Sequence, residues 1–110
     1  MCSYQTLSCD NDSNYVIRCT ECDHIQVAFK NLALTFYPVD FDGFCDCMET
    51  VYKAVADTLG NSSRNLAIPM PYDGVQLLLN KSELNQLYQM LNEANTEMRS
   101  LELISLFKNH

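Results

Sequence analysis

Ile25-Gln-Val-Ala-Phe-Lys-Asn-Leu-Ala-Leu-Thr-Phe36 decides the fold, because its rhythm returns 43 residues later in Ile68-Pro-Met-Pro-Tyr-Asp-Gly-Val-Gln-Leu-Leu-Leu79. Laid over each other without a gap, the two stretches match at six apolar positions: 25, 27, 29, 32, 34 and 36 against 68, 70, 72, 75, 77 and 79. Further on, Phe41, Phe44 and Met48 match Leu84, Leu87 and Leu91. Each copy runs in period two, turns over two residues, runs in period two again, and then takes helical spacing. The spacing therefore predicts a pseudo-duplicated ββα unit.

The punctuation agrees with this. Asp73-Gly74 is a favoured hairpin dipeptide, since a two-residue turn places positive φ at its central positions. Lys30-Asn31 occupies the equivalent place and is poorer, with only Asn suited to the left-handed region. Pro38 stands where a first helical residue needs no N–H. Asn80 followed by Glu83 forms a reciprocal capping pair. The first helix is expected over 38–59, burying Phe41, Phe44, Met48, Val51, Val55 and Leu59, with Gly60 as its stop and 60–65 as a linker. The second starts near Lys81 and buries Leu84, Leu87, Leu91 and Ala94, continuing through Met98 and Leu101. Beyond them Ile104 and Phe107 drift off the stripe, so 81–108 is either one helix or two with a break near Asn95-Thr96.

Pro69 and Pro71 remove donors along one edge of their strand and make it an edge strand. A short strand at 14–19 extends the sheet at its other end. The fold expected is α+β in two layers. A mostly antiparallel five-stranded sheet, in the order 1-2-3-5-4 counted from the 14–19 strand, carries both helices on one face. The chain forms one domain, divided into an arm (1–13), a first unit (14–59) and a second unit (66–110).

Composition excludes several functions. The 110 residues are 47% hydrophobic and 19% charged, a globular balance. Asp and Glu number 14 against 7 Lys and Arg, for a net charge of −7. The first 57 residues hold nine acids and three bases, so the acidic half is also the cysteine-rich half. Nucleic acid and anionic membrane surfaces are poor partners for such a chain. No stretch reaches the roughly 18 uninterrupted apolar residues of a membrane span. Met-Cys-Ser-Tyr-Gln-Thr lacks the basic and apolar regions of a signal peptide. A cytoplasmic protein with reduced or metal-bound cysteines is expected.

Of the six cysteines, Cys19-Thr-Glu-Cys22 lies between two strand patterns, the shape of a zinc knuckle at a hairpin tip. Such a turn aims sulfurs and backbone N–H groups at one point. It needs a left-handed residue after the second Cys, here Asp23. Zinc takes four ligands, and Cys2, Cys9 and His24 are the candidates for the rest. Cys2 and Cys9 would also tie down an arm that has no apolar rhythm of its own. The expected Zn²⁺-type site is Cys2, Cys9, Cys19 and Cys22, with His24 the alternative to Cys9. A thioredoxin-like dithiol is disfavoured, because a strand rather than a helix follows the motif, and Glu21 and Asp23 oppose thiolate formation. Cys45 and Cys47 diverge by about 200° around a helix and read as packing residues.

Gly-rich phosphate loops and nucleophile elbows are missing from the sequence. Asp40, Asp42, Asp46 and Glu49 sit where the first helix's dipole favours acids. Three functions follow, in order: a non-enzymatic interaction or regulatory module with a structural metal and an unidentified protein partner or a homodimer; a thiol- or metal-responsive regulator; and a small enzyme using the helix carboxylates or the CxxC. The block Cys19-x-x-Cys22-x-x-Ile-Gln-Val-Ala-Phe29, with Met1-Cys2 ahead of it, resembles a family of short uncharacterised bacterial proteins. There an early Cys precedes CxxC and Ile-Gln-Leu-Ala-Phe-Gly; Val27 here replaces Leu, and Lys30 replaces Gly. The resemblance implies a recurrent Cys2, Cys19, Cys22 trio and no activity.

Overall fold

Period-two and helical spacing produce the expected elements, plus one more strand. A computed structural model describes residues 3–11, 13–55, 64, 66–70 and 72–108. In order they form β1 (Tyr4–Asn11), β2 (Asn14–Cys19), β3 (Ile25–Phe29), β4 (Leu32–Phe36), α1 (Pro38–Val55), β5 (Leu66–Pro69), β6 (Gln76–Leu79) and α2 (Lys81–Lys108). The end expected for the first helix at Leu59, its Gly60 stop and most of the linker lie outside the described residues. Both ββα units are present, as β3-β4-α1 and β5-β6-α2. The second helix is continuous through Asn95 and Thr96.

The strands do not form one five-stranded sheet. β1-β2-β3-β4 make a four-stranded antiparallel sheet, and β5-β6 a separate two-stranded ribbon. The arm, expected to be tied down through Cys2 and Cys9, is a strand, β1, which extends the sheet by pairing with β2 from Tyr4↔Cys19 to Asn11↔Asn14. At the opposite edge, the Tyr72 hydroxyl donates to Thr35 O of β4 at 2.6 Å. A side chain from the β5–β6 turn thus occupies a carbonyl of the edge where β6 was expected to pair.

The core lies on one face of the four-stranded sheet. Registers Val16↔Val27↔Leu34 and Ile25↔Phe36 align these side chains across the strands, and alternation sends them to the same side. α2 packs over β1 and β2, α1 over β4, and the helices pack on each other. Phe36 stacks on Phe44 (centroids 5.1 Å) and meets Phe41 edge-on (6.1 Å). Ile68, Met70 and Leu79 of the ribbon join the same apolar cluster. The duplicated positions are unequally used: Phe29 is buried, and its counterpart Tyr72 is exposed.

Local chemistry sets the element ends. α1 begins at Pro38, and its first bond runs from Phe41 N–H to Tyr37 O at 2.9 Å. At α2, Glu83 N–H donates to Asn80 Oδ1 (2.8 Å) and Asn80 N–H to Glu83 Oε1 (3.1 Å), the reciprocal cap expected. Arg64 adds a forked pair, with Nε donating to both Glu83 oxygens (2.9 and 3.1 Å) and Nη2 to Oε2 (2.7 Å). Glu83 is buried, yet the Arg64 hydrogen bonds, helped by the Asn80 N–H, outweigh its desolvation and hold its carboxyl below the ordinary range. The hairpin turns depart from expectation. In Tyr72–Val75 only Gly74 has positive φ, at 79°. In the first hairpin Lys30, not Asn31, is left-handed (φ 58°), and its N–H donates to Asn14 Oδ1 at 2.8 Å. The Asn14 bond from the neighbouring strand selects which turn residue takes the strain.

Two tests follow from these ends. Lys30→Gly relieves left-handed strain of about 1–2 kcal/mol against an entropy cost of about 0.5–1, so a gain near 0.5 kcal/mol is expected. Lys30→Val should lose about 1 kcal/mol, and urea unfolding of the three proteins measures both. Glu83 titrates lower folded than unfolded, so its contribution is complete above the ordinary value of 4.5 and disappears as pH falls through the folded value. Glu83→Gln should therefore be less stable than wild type at neutral pH, with thermal midpoints that converge as pH falls below the folded value.

Candidate cysteine site

Cys19 ends β2, and its N–H donates to His24 O at 2.9 Å, closing the β2–β3 hairpin one step beyond the Arg18↔Ile25 pair. The chain between them turns tightly. Asp23 N–H donates back to Cys19 O (3.0 Å), and Asp23 is left-handed (φ 64°), as expected of the residue after the second Cys. Asp is among the residues that tolerate this conformation best.

Inside the turn, Cys22 N–H donates to Cys19 Sγ at 3.3 Å. An N–H aimed at sulfur favours the thiolate. His24 Nδ1 lies 3.1 Å from Cys22 Sγ. The His24 ring also meets Tyr37 (centroids 4.7 Å, planes at 50°). That contact follows from sheet register: Ile25 pairs with Phe36, so residues 24 and 37 emerge side by side. Local sequence holds no signal for it. Cys19 is buried, and Cys22 is exposed.

The start of the chain is fixed to this turn. Thr20 donates to Ser3 O twice, from its N–H (2.8 Å) and its hydroxyl (3.1 Å). Cys2 itself lies outside the described residues. Cys9 is elsewhere: the β1–β2 register sets it opposite Tyr15, whereas Tyr4 faces Cys19. Five strand residues separate the two levels, on the order of 15 Å. Cys9 instead lines a polar groove between β1 and α2 with Ser8, Asn85, Gln89 and Glu93, where Ser8 Oγ donates to Glu93 Oε2 at 3.1 Å. Among the described residues no three His, Cys, Asp or Glu side chains are grouped to hold a metal ion.

Of the two helix cysteines, Cys47 is half-buried and outside the core cluster. Cys45 is buried under α2, and burial first, with Asp42 and Asp46 adding, pushes its thiol up to about 12. The nearby dent between the helices, lined by Asp46, Glu49, Asn92 and Arg99, has a volume of about 130 Å³. Ligand pockets usually exceed about 300 Å³, so this dent beside Asp46 and Glu49 is small for a substrate.

Fold and site together define a small α+β protein in which a hairpin end presents two cysteines and a histidine beside the first strand. No helix of the described residues is long and apolar enough to cross a membrane. The chain belongs to DUF6686, a family of unknown function whose model matches residues 1–108. No curated protein and no solved structure matches it.

Thiol reactivity tests this geometry. In reduced, metal-free protein a maleimide should modify Cys22 rapidly and Cys45 only on unfolding, with peptide mass mapping as the readout. Equal rates at the two positions would contradict the burial described.

Proposed function

We propose that this protein is a non-enzymatic interaction or regulatory module whose hairpin end is a structural Zn²⁺ site, with Cys2, Cys19 and Cys22 as thiolate ligands and His24 as the fourth. The Cys22 N–H to Cys19 Sγ bond carries this reading. Left-handed Asp23 supports it, since a zinc knuckle uses such a turn to bring two sulfurs toward one point and stabilise their charge. The Ser3–Thr20 bonds support Cys2 as a third ligand, because they fix the neighbouring backbone to the same turn. His24 is favoured over Cys9 by position alone: one lies against Cys22, and the other is at the far end of the ladder. Three thiolates and a neutral imidazole around Zn²⁺ leave one negative charge, which water can reach on the Cys22 side.

Such a metal would hold the first residues of the chain to the sheet, and its binding energy would count toward folding. The protein should purify with about one zinc per chain by mass spectrometry, and chelation should lower its thermal midpoint. Co²⁺ in its place should give the absorption of three thiolates and one nitrogen, lost in Cys22→Ser, altered in His24→Ala and unchanged in Cys9→Ser. Metal-free protein whose midpoint ignores chelators and added zinc would overturn the site.

The exposure of Cys22 beside His24 favours a second reading, a thiol-responsive form of the same site. There Cys19 and Cys22 would join in a disulfide as hydrogen peroxide is reduced to water, releasing the metal. Zinc release on peroxide treatment, reversed by a dithiol reductant, distinguishes it from a purely structural site.

A further inference from the structure

The far end of α2 is built for contact with something outside this chain. Its core stripe, Leu84, Leu87, Leu91, Ala94 and Met98, is buried, and Leu101 is the last residue packed against the cluster. Beyond it the apolar residues change sides. At 100° per residue, Leu103 and Phe107 fall roughly 140° and 180° around the axis from Met98. Leu103, Ile104, Leu106 and Phe107 are 56%, 50%, 62% and 73% exposed. The helix of 28 residues is about 42 Å long, in a body measuring 49 × 28 × 27 Å, so this end reaches along the long axis of the molecule.

We infer that this face pairs with the same face of a second copy. Four such side chains form an apolar patch on the order of 500 Å², the size at which patches mark interaction surfaces. Two copies related by a twofold axis would bury on the order of 1,000 Å², what specific association requires. Charge favours this end for a like-charged partner. The chain as a whole carries −7, yet residues 100–107 hold Glu102 as their one charge. An anionic lipid surface would meet the full charge of the acidic body, which disfavours it as the occupant.

Sedimentation velocity of the full chain from about 1 to 200 µM should show reversible conversion to twice the 12.6 kDa mass, with a dissociation constant in the micromolar range. The double variant Leu103→Glu with Phe107→Glu should weaken it by about a hundredfold, with unchanged circular dichroism, since both side chains are exposed. A photo-crosslinking residue at position 103 should join two copies, and one at Gln86 should not. Wild type that stays monomeric throughout overturns the inference and assigns the face to a different protein. So does a dimer that survives the double variant or crosslinks equally from both positions.

Discussion

One apolar sheet face has to be kept from water, and most of the structure follows from that. Val16, Ile25, Val27, Leu34 and Phe36 lie on a single side of β2, β3 and β4. Burying each such side chain is worth about 1.5–3 kcal/mol, so a bare face would leave the sheet unstable. α1 contributes Phe41, Phe44 and Met48, and α2 its leucine stripe. β1 adds Leu7 at one end, and the ribbon adds Ile68, Met70 and Leu79 at the other. On the opposite face, Ala33 and Thr35 of β4 are small or polar and stand in solvent.

The cysteine turn is a consequence of the same sheet. The strands that hold the core in register also set where their connection falls, and Cys19 N–H to His24 O is the last rung of that ladder. The four residues beyond it must reverse direction, which requires left-handed backbone at Asp23. Ligand-type side chains are gathered by main-chain pairing rather than by attraction to one another. The same pairing brings Ser3 to Thr20 and carries Cys9 away, since a strand that starts beside the turn must leave it.

Much of this was legible from spacing. The two ββα units, the continuous apolar stripe of α2, the Asn80–Glu83 cap, Pro38 at a helix start and left-handed Asp23 each depend on residues a few positions apart. β1 was not legible. Among its buried residues only Leu7 is apolar, and a register shift between Thr6 and Ser8 leaves Leu7 and Ser8 both buried, which erases period two. Arg64 on Glu83 also escaped notice, because 19 residues separate them.

By itself, then, the sequence determined both helices and every strand but β1, which side of each is apolar, and that the CxxC lies at a hairpin end. These are properties of short-range spacing and local backbone preference. Only the tertiary structure decided that the sheet divides at Thr35, that the first residues are a strand, that Lys30 takes the strained turn position, and that His24 rather than Cys9 lies against Cys22. Each of these rests on a hydrogen bond or strand register between segments distant along the chain. Periodicity carries no information about such partners.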